Sequence, residues 1–456
     1  MVCSSQNTIV ALATPLGISG LAVIRISGQK SLNVAHQMAG LPKERFQPRY
    51  SLFCSLRNRD GQEIDHGLIT FFKGPQSYTG EDVVEISCHG GTVIPQRIVE
   101  TCLQFGCHPA GPGEFTRRAF LNGKMDLSQA EAVSDVIAAK TALGQKVSYR
   151  ILSGKFSSLI HALKEELLHG VVLVEGELDF AADEVPPSTQ KDKERVLSSV
   201  IETGKALLET YQTGRLLTHG AIVSIIGKPN VGKSTLLNAL IAEERVIVSD
   251  APGTTRDAVE VLYQIQGFPI SFIDTAGLGR SHNPAEKRGI EFSREYIRKS
   301  DLVLWVFDSS DHNESWSRAV KHPFFEAPFL TVLNKADLLE GIFPASGPDG
   351  GDATPLFVSA LKGQGLDQLT QRIFRTLVSS DPSDEEVLLT NARHKEALEA
   401  CMDCVASANA RLAEGREAEI VAFELREALS HLDRILGVTT AQDILDNIFS
   451  TFCVGK

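Results

Sequence analysis

No apolar run in the 456-residue sequence approaches the roughly 18 residues that a membrane span needs, and the first fifteen residues lack the basic start of a signal peptide. Both absences predict a soluble, cytoplasmic protein with no membrane span. Cysteine is sparse: eight residues are scattered along the chain. The one Cys-x-x-Cys pair, Cys401 and Cys404, sits in a helical pattern with no second pair to complete a metal site. The cysteines therefore read as reduced thiols. An excess of positive charge is missing as well, since 45 Lys and Arg face 57 Asp and Glu for a net charge of -12. That excludes a general nucleic-acid coat, which releases counterions through clustered lysine and arginine, so any RNA contact must be a local patch. Length is not lacking, and a chain of this size is expected to split into about two to four domains.

What is present centres on Gly227 to Ser234, GKPNVGKS, which has the spacing Gly-x-x-x-x-Gly-Lys-Ser and follows the apolar run Ala221 to Ile226. Gly227 and Gly232 let the backbone turn tightly so that its N-H groups converge on phosphate oxygens, Lys233 adds a positive charge, and Ser234 offers a hydroxyl to Mg2+. The helix expected to start near Lys233 points its positive end at the same spot. Nucleotide contacts are thus expected from Asn230, Val231, Gly232, Lys233, Ser234 and Thr235.

Two further motifs follow at domain-scale distances, each ending an apolar run: Asp274, Thr275, Ala276 and Gly277 (DTAG) after Phe268 to Ile273, and Asn334, Lys335, Ala336 and Asp337 (NKAD) after Phe329 to Leu333. All three motifs fall at the carboxyl ends of predicted strands, where open α/β sheets place ligands. Asp274 suits the magnesium shell, and Gly277 a γ-phosphate. Asp337 accepts both N-H donors of a guanine edge, which selects GTP over ATP. The set resembles the translation-factor-like GTPases, and Ser359, Ala360 and Leu361 fit their last guanine-contact loop.

From Thr8 to about Phe120, short apolar runs (Ile9 to Leu12, Leu21 to Ile26, Leu68 to Phe72, Val83 to Ile86) alternate with Gly, Pro and Ser, predicting a strand-rich α+β domain. Two charges interrupt those runs, Arg25 in LAVIRIS and Glu85 in VVEIS, and read either as a salt bridge or as a ligand clamp. Beyond GPGEF (Gly111 to Phe115) helical periodicity takes over, with Leu159, Leu163, Leu167 and Val171 on one stripe and a break at Asp183 to Pro187. Gly341 to Pro355 is too rich in Gly and Pro for regular structure, and the acidic stretch Asp381 to Glu386 reads as a linker. Periodicity resumes with Val421, Leu425, Leu429, Leu432 and Leu436. The expected multidomain layout is an α+β domain over 1–120, a helical domain over 121–215 and 379–456, and an α/β P-loop domain inserted at 216–378.

In many GTPases a glutamine after DTAG orients the attacking water, but here Leu278 stands in its place. No arginine finger can be named from the sequence either. Asn230 offers an oxygen to a monovalent cation that would supply the missing charge, and the segment Ser249, Asp250, Ala251, Pro252, Gly253, Thr254, Thr255 offers further oxygens, with Thr255 for magnesium.

The whole chain resembles the tRNA modification GTPases called the MnmE or TrmE family. The resemblance is carried by NTIVALATP (Asn7 to Pro15), RISG (Arg25 to Gly28), SYTGEDVVE (Ser77 to Glu85), HGG (His89 to Gly91), GPGEFTRRAFLNGKMDLSQAEA (Gly111 to Ala132), GTTRD and the terminal FCVGK. It implies a folate-binding amino-terminal domain that dimerises, a discontinuous helical domain and a G domain activated by K+. It also implies a flavoprotein partner, MnmG (GidA), in a heterotetrameric complex that makes 5-carboxymethylaminomethyluridine at the tRNA wobble position. Carried over by position, contacts to formyl- or methylene-tetrahydrofolate fall on Arg25, Glu85, Lys124 and Lys456, which tips the pair toward the clamp. Potassium ligands fall on Asn230, Ser249, Ala251 and Thr254, magnesium ligands on Ser234 and Thr255, and the water-positioning glutamate on Glu286. Catalytic roles are thereby implied for Glu286, Asn230, Lys233 and Cys453, the last as either a nucleophile or a packed thiol. Val454 departs from the family's commoner isoleucine, and Leu278-Gly279-Arg280 from its usual spacing. A different class of function, a GTP-dependent switch in RNA or ribosome assembly, has no use for the Arg25, Glu85 and FCVGK set.

Overall fold

A computed structural model describes residues 7–179, 190–243, 260–274, 297–310, 327–339, 354–378, 387–415 and 417–456. The chain divides into two compact units, one of Met1–Ser134, Ile151–Val196 and Ser407–Lys456, the other of Asp135–Arg150 and Leu197–Ala406.

In the first unit, period-two alternation builds a six-stranded sheet from β1 (Ile9–Leu12), β2 (Leu21–Ser27), β3 (Ser51–Arg57), β4 (Glu63–Phe72), β5 (Val83–His89) and β6 (His108–Pro109), in the order β3-β4-β5-β2-β1-β6. Along β2, Ala22, Ile24 and Ile26 are buried in the core, so Val23 and Arg25 must point to the opposite face. Helices Ser31–Ala39 and Val93–Gln104 pack on the core side through Val34, Met38, Ile98 and Cys102. All four predicted strand runs fall inside strands of this sheet. β3 escaped the sequence reading because SLFCSLR hides its inward set (Leu52, Cys54, Leu56) behind serines and a cysteine.

The strand pattern gives way to helix at Glu114–Leu121, directly after Gly113. Helix Lys155–Asp179 buries Leu163, Leu167 and Val171 and pairs with helix Ala418–Leu436, which buries Val421, Leu425, Leu432 and Leu436. The ion pairs Lys164–Asp433 (2.5 Å) and Arg426–Glu175 (2.6 Å) join the two. Helices from before and after the nucleotide segment therefore share one core. Ala428 takes the fully buried middle position of the second stripe while Leu429 lies half-buried, because the helical period reaches 428 as well as 429. Helix Gln442–Ser450 and Phe452 then pack on helix Leu127–Ala138 through Leu445, Phe449, Leu127 and Ala130.

The second unit holds β7 (Ala221–Ile226), β8 (Glu260–Ile265), β9 (Phe268–Asp274), β10 (Leu302–Asp308), β11 (Phe329–Asn334) and β12 (Leu356–Phe357), in the order β12-β11-β10-β7-β9-β8. Every pair is parallel except β8 with β9. From central β7 the chain steps to β9 on one side and then to β10 on the other, which makes the carboxyl end of β7 the switch point of the sheet. The break at Asp183 to Pro187, the linker at Asp381 to Glu386 and nearly all of the Gly341 to Pro355 loop lie outside the described residues.

Candidate functional site

At the carboxyl end of β7 the backbone turns through Gly227 (φ 154°), Asn230 (φ 67°) and Gly232 (φ 91°) into helix Lys233–Glu243. The glycines are dictated by space: a Cβ on Gly227 would lie 2.3 Å from the Val306 carbonyl oxygen, and one on Gly232 2.4 Å from Asn334 Nδ2. Lys233 is buried and its Nζ donates to the carbonyls of Gly227 (2.8 Å) and Lys228 (2.9 Å), closing the loop into a ring around the ammonium group. Ser234 and Thr235 follow in the first helical turn, exposed, while Val231 anchors the loop in the core. A bare backbone at a helix N-terminus with a central cation fits a polyphosphate.

Asn334, at the end of β11, ties the loop to the NKAD and Ser359–Leu361 segments. Its Nδ2 donates to the Val231 carbonyl at 2.9 Å, and its Oδ1 accepts from the Ala360 N-H at 3.1 Å. Lys335 adopts a left-handed backbone (φ 62°), and its ammonium pairs with Asp308 at 2.7 Å. Burial works to raise the Asp308 pKa, but hydrogen bonds from Lys335 and Ser310 outweigh it, and the carboxyl is held below its ordinary range. Asp337 Oδ1 accepts from the Ser359 hydroxyl at 2.5 Å, and this bond chiefly holds the Asp337 carboxyl below its ordinary pKa. An ionised carboxylate there is what two guanine N-H donors need. Ser359 and Gln364 exchange two backbone hydrogen bonds, fixing the loop in which Ala360 is buried and Leu361 exposed. Asp274 ends β9 in register with Ile225, at the same sheet edge as the phosphate loop. Ser249, Asp250, Ala251, Pro252, Gly253, Thr254, Thr255, Thr275, Ala276, Gly277 and Glu286 lie outside the described residues. Of the expected potassium set only Asn230 is described, exposed on the loop.

The first unit carries a second cluster. Arg25 and Glu85 are cross-strand neighbours, joined by Nε to Oε1 at 2.9 Å and Nη2 to Oε1 at 2.8 Å. The guanidinium lies over the rings of Tyr78 (5.2 Å) and Phe115 (5.8 Å), and its Nη1 donates to the Gly455 carbonyl at 3.4 Å. The terminal segment is thus seated on the sheet: Pro112 bridges Val454, Gly113 N-H donates to the Cys453 carbonyl (3.4 Å), and Phe115 N-H donates to that of Lys456 (3.1 Å). Burial, then the charge of Arg25, lowers the Lys456 pKa. An ammonium group held beside a guanidinium suits an anionic ligand, and the Glu85 carboxylate suits an N-H donor edge. Lys124 stands apart: its Nζ donates to the Pro75 carbonyl at 2.9 Å, and none of its hydrogen bonds or ion pairs reaches Arg25, Glu85 or Lys456. Cys453 is exposed, not packed, and so is Val454, where one methylene more or less meets little. Cys401, by contrast, is buried on a helix and its thiol pKa is pushed up to about 12 by burial. No group of three or more metal-ligating side chains occurs among the described residues.

Two family profiles match the chain. One described as the MnmE helical domain covers residues 127–453, and one described as the GTP-binding protein TrmE N-terminus covers residues 8–124. The chain belongs to the MnmE family of tRNA modification GTPases. A curated MnmE of Aquifex aeolicus is 39% identical over 99% of this chain and 100% of its own length, and one of Syntrophus aciditrophicus is 41% identical over 99% and 100%. A crystal structure of Aquifex aeolicus Era bound to GDP.AlF4- is 26% identical over 40% of this chain and 66% of that one, at a TM-score of 0.27, too loose a likeness to carry an inference.

Sequence reasoning overlooked the group that supports the second cluster of this MnmE relative. Arg118 is buried and donates to the Asn7 carbonyl (2.9 Å), Glu81 (3.0 Å) and Glu114 (2.8 Å), while Glu81 also accepts from Ser27 (2.7 Å). Tyr78, under Arg25, is fixed by its hydroxyl bond to Thr116 at 2.8 Å. A signal existed: Phe115, Arg118 and Ala119 share one face of a short helix by their three- and four-residue spacing, which puts a charge on the apolar side.

Proposed function

We propose that this GTPase is activated by K+ and acts with the flavoprotein MnmG (GidA) to form 5-carboxymethylaminomethyluridine at the wobble position of certain tRNAs. A tetrahydrofolate one-carbon unit, as the 5-formyl or 5,10-methylene form, is the proposed carbon source, and the working assembly is a homodimer of this chain joined to MnmG in a heterotetramer in the cytoplasm. The observation that carries the reading is the Gly455 carbonyl on Arg25 Nη1, which sets the terminal lysine beside the Arg25–Glu85 pair in a chain that also bears a complete set of guanine and phosphate loops. A GTP-driven assembly switch has no role for that cluster.

Glu85 would take the N-H edge of a pterin, and Arg25 and Lys456 the anionic glutamate tail, with Lys124 reaching it from the Pro75 loop. The folate supplies the carbon; the residues bind and orient it. On the nucleotide side, Lys233 neutralises phosphate charge, Ser234, Thr255 and Asp274 hold Mg2+, and Asn230 with Ser249, Ala251 and Thr254 holds K+ where no arginine finger stands. Glu286 positions the water, a role that Leu278 cannot fill.

Mass analysis of the wobble uridine in cells lacking the protein tests the whole reading, and an unchanged nucleoside profile sinks it. GTP hydrolysis is expected to be faster in potassium than in sodium at equal ionic strength, with Asn230→Ala erasing the difference. Equal rates in both salts for the intact protein remove the potassium part alone.

A further inference from the structure

The sequence carries a net charge of -12, yet residues 7 to 124 hold twelve Lys and Arg against nine Asp and Glu, so this segment is net positive in an acidic protein. Part of that surplus is concentrated on the helix-covered side of the first sheet. There a cavity of about 540 Å3 is lined by Arg57, Asn58 and Arg59 from the β3–β4 turn, by Gln37 near the end of helix Ser31–Ala39, and by Gln104 and Phe105 from the end of helix Val93–Gln104. No carboxylate lines it; Asp60, the acid of the turn, is not among its walls.

The two arginines differ from those of the Arg25 cluster. Arg25, Arg117 and Arg118 are each paired with a carboxylate, whereas the Arg57 and Arg59 guanidiniums make no hydrogen bond or ion pair with any described residue. What faces them is the carboxyl ends of two helices, whose partial negative charge favours a cation without consuming its donors. Arg57 Nη1 would lie 3.8 Å from a Cβ at Gly40, the glycine that closes the first of these helices. The walls thus offer two free forks, the side-chain amides of Gln37 and Gln104 and one half-buried aromatic ring, while the Asn58 amide is spent on bonds to Asp60 and Gln62 that hold the turn. Forks and amides suit phosphodiester oxygens, and a ring beside them suits an unstacked base, the combination by which single-stranded RNA is held.

We infer that this groove of the amino-terminal domain is a local RNA contact that holds the phosphate backbone of the tRNA substrate, on a surface separate from the Arg25–Glu85 cluster. The inference rests on tRNA being the substrate. It accounts for how an acidic chain meets a polyanion, through a patch rather than a coat.

The test is equilibrium binding of the full-length protein to unmodified tRNA across a salt series, with Arg57→Glu/Arg59→Glu and, separately, Gln104→Glu. Loss of two single-strand phosphate contacts is expected to lower the log-log salt slope by about 1.4 and to weaken binding about tenfold or more. Arg57→Lys/Arg59→Lys should retain most of the affinity, and GTP hydrolysis without RNA should match that of the intact protein in all variants. Gln104→Glu leaves both arginines in place, so its loss of affinity would report the groove rather than the turn. Unchanged affinity and slope in the charge-reversed variants overturn the groove while leaving the tRNA reading intact. Failure of the intact protein to bind tRNA overturns both. Competition by free triphosphate at the same concentrations as tRNA would assign the groove to a small anion and overturn the RNA contact.

Discussion

Asn334 Nδ2 donates to the carbonyl of Val231 at 2.9 Å, bonding the NKAD segment directly to the glycine-rich loop 103 residues earlier in the chain. The side chain is buried and its oxygen is held in turn by the Ala360 N-H. One amide therefore sets the distance between the glycine-rich loop and the segment around Ala360.

Asn334→Ala should consequently do two things at once. It leaves the Val231 carbonyl and the Ala360 N-H without partners, which costs about 1 to 3 kcal/mol of stability each where no water replaces them, and it lets the two loops drift apart. Urea unfolding and titration with a fluorescent GTP analogue should both shift. Undiminished nucleotide affinity would show that the amide is not a spacer.

The Asp337–Ser359 bond gives a pH dependence with a fixed sign. Because the folded-state pKa of Asp337 is lowered, chiefly by the Ser359 hydroxyl, the bond contributes stability above the ordinary aspartate range and loses it as pH falls through the depressed value. Carbon NMR of the Asp337 carboxyl should give a midpoint below that of a free aspartate, and Ser359→Ala should move it upward. An unmoved midpoint would mean that the hydroxyl does not bond the charged form.

Arg118→Met removes the cation shared by Glu81 and Glu114 and leaves those carboxylates facing each other in a partly buried site. A loss of about 3 kcal/mol in unfolding free energy is expected. Glu81→Gln in the same background should return part of it, since one of the two unpaired charges is then gone.

Gly455→Ala tests the second cluster more finely than truncation. The residue has φ 100°, and a Cβ would lie 2.4 Å from the Leu12 carbonyl oxygen, so the tail must lift from the strand and release Arg25 Nη1. Calorimetry with 5-formyltetrahydrofolate should show about a tenfold loss or more, while GTP hydrolysis in potassium stays near that of the intact protein. Full folate affinity in this variant would separate the tail from the ligand.

Much of this arrangement was legible from local pattern. An apolar run followed by a polar or glycine-rich motif reads as a strand end, and β7, β9 and β11 end where their motifs begin. The alternation of LAVIRIS and VVEIS puts Arg25 and Glu85 on the non-core face, and their register then makes them neighbours. What was not legible depends on contacts between distant segments. Spacing puts Arg118 on the apolar face of its helix, but its partner Glu81, 37 residues away, cannot be read from that spacing. β3 hid behind serines whose alternation is clear only once its inward face is known. Lys124 lies near the cluster in motif but bonds the Pro75 carbonyl instead, because a long flexible side chain is placed by the nearest acceptor and not by sequence.

Seating Gly455 on Arg25 joins residues 430 apart in the order of synthesis. The first sheet has its own apolar core and can collapse as soon as it emerges from the ribosome, but its Arg25–Glu85 cluster is finished only by residues translated several hundred codons later. During that interval the nascent amino-terminal domain is folded yet incomplete. Premature termination after the last strand of that sheet would therefore yield a compact product that lacks the tail seated on Arg25, and a bulky tag fused after Lys456 would crowd the same place in a protein translated in full.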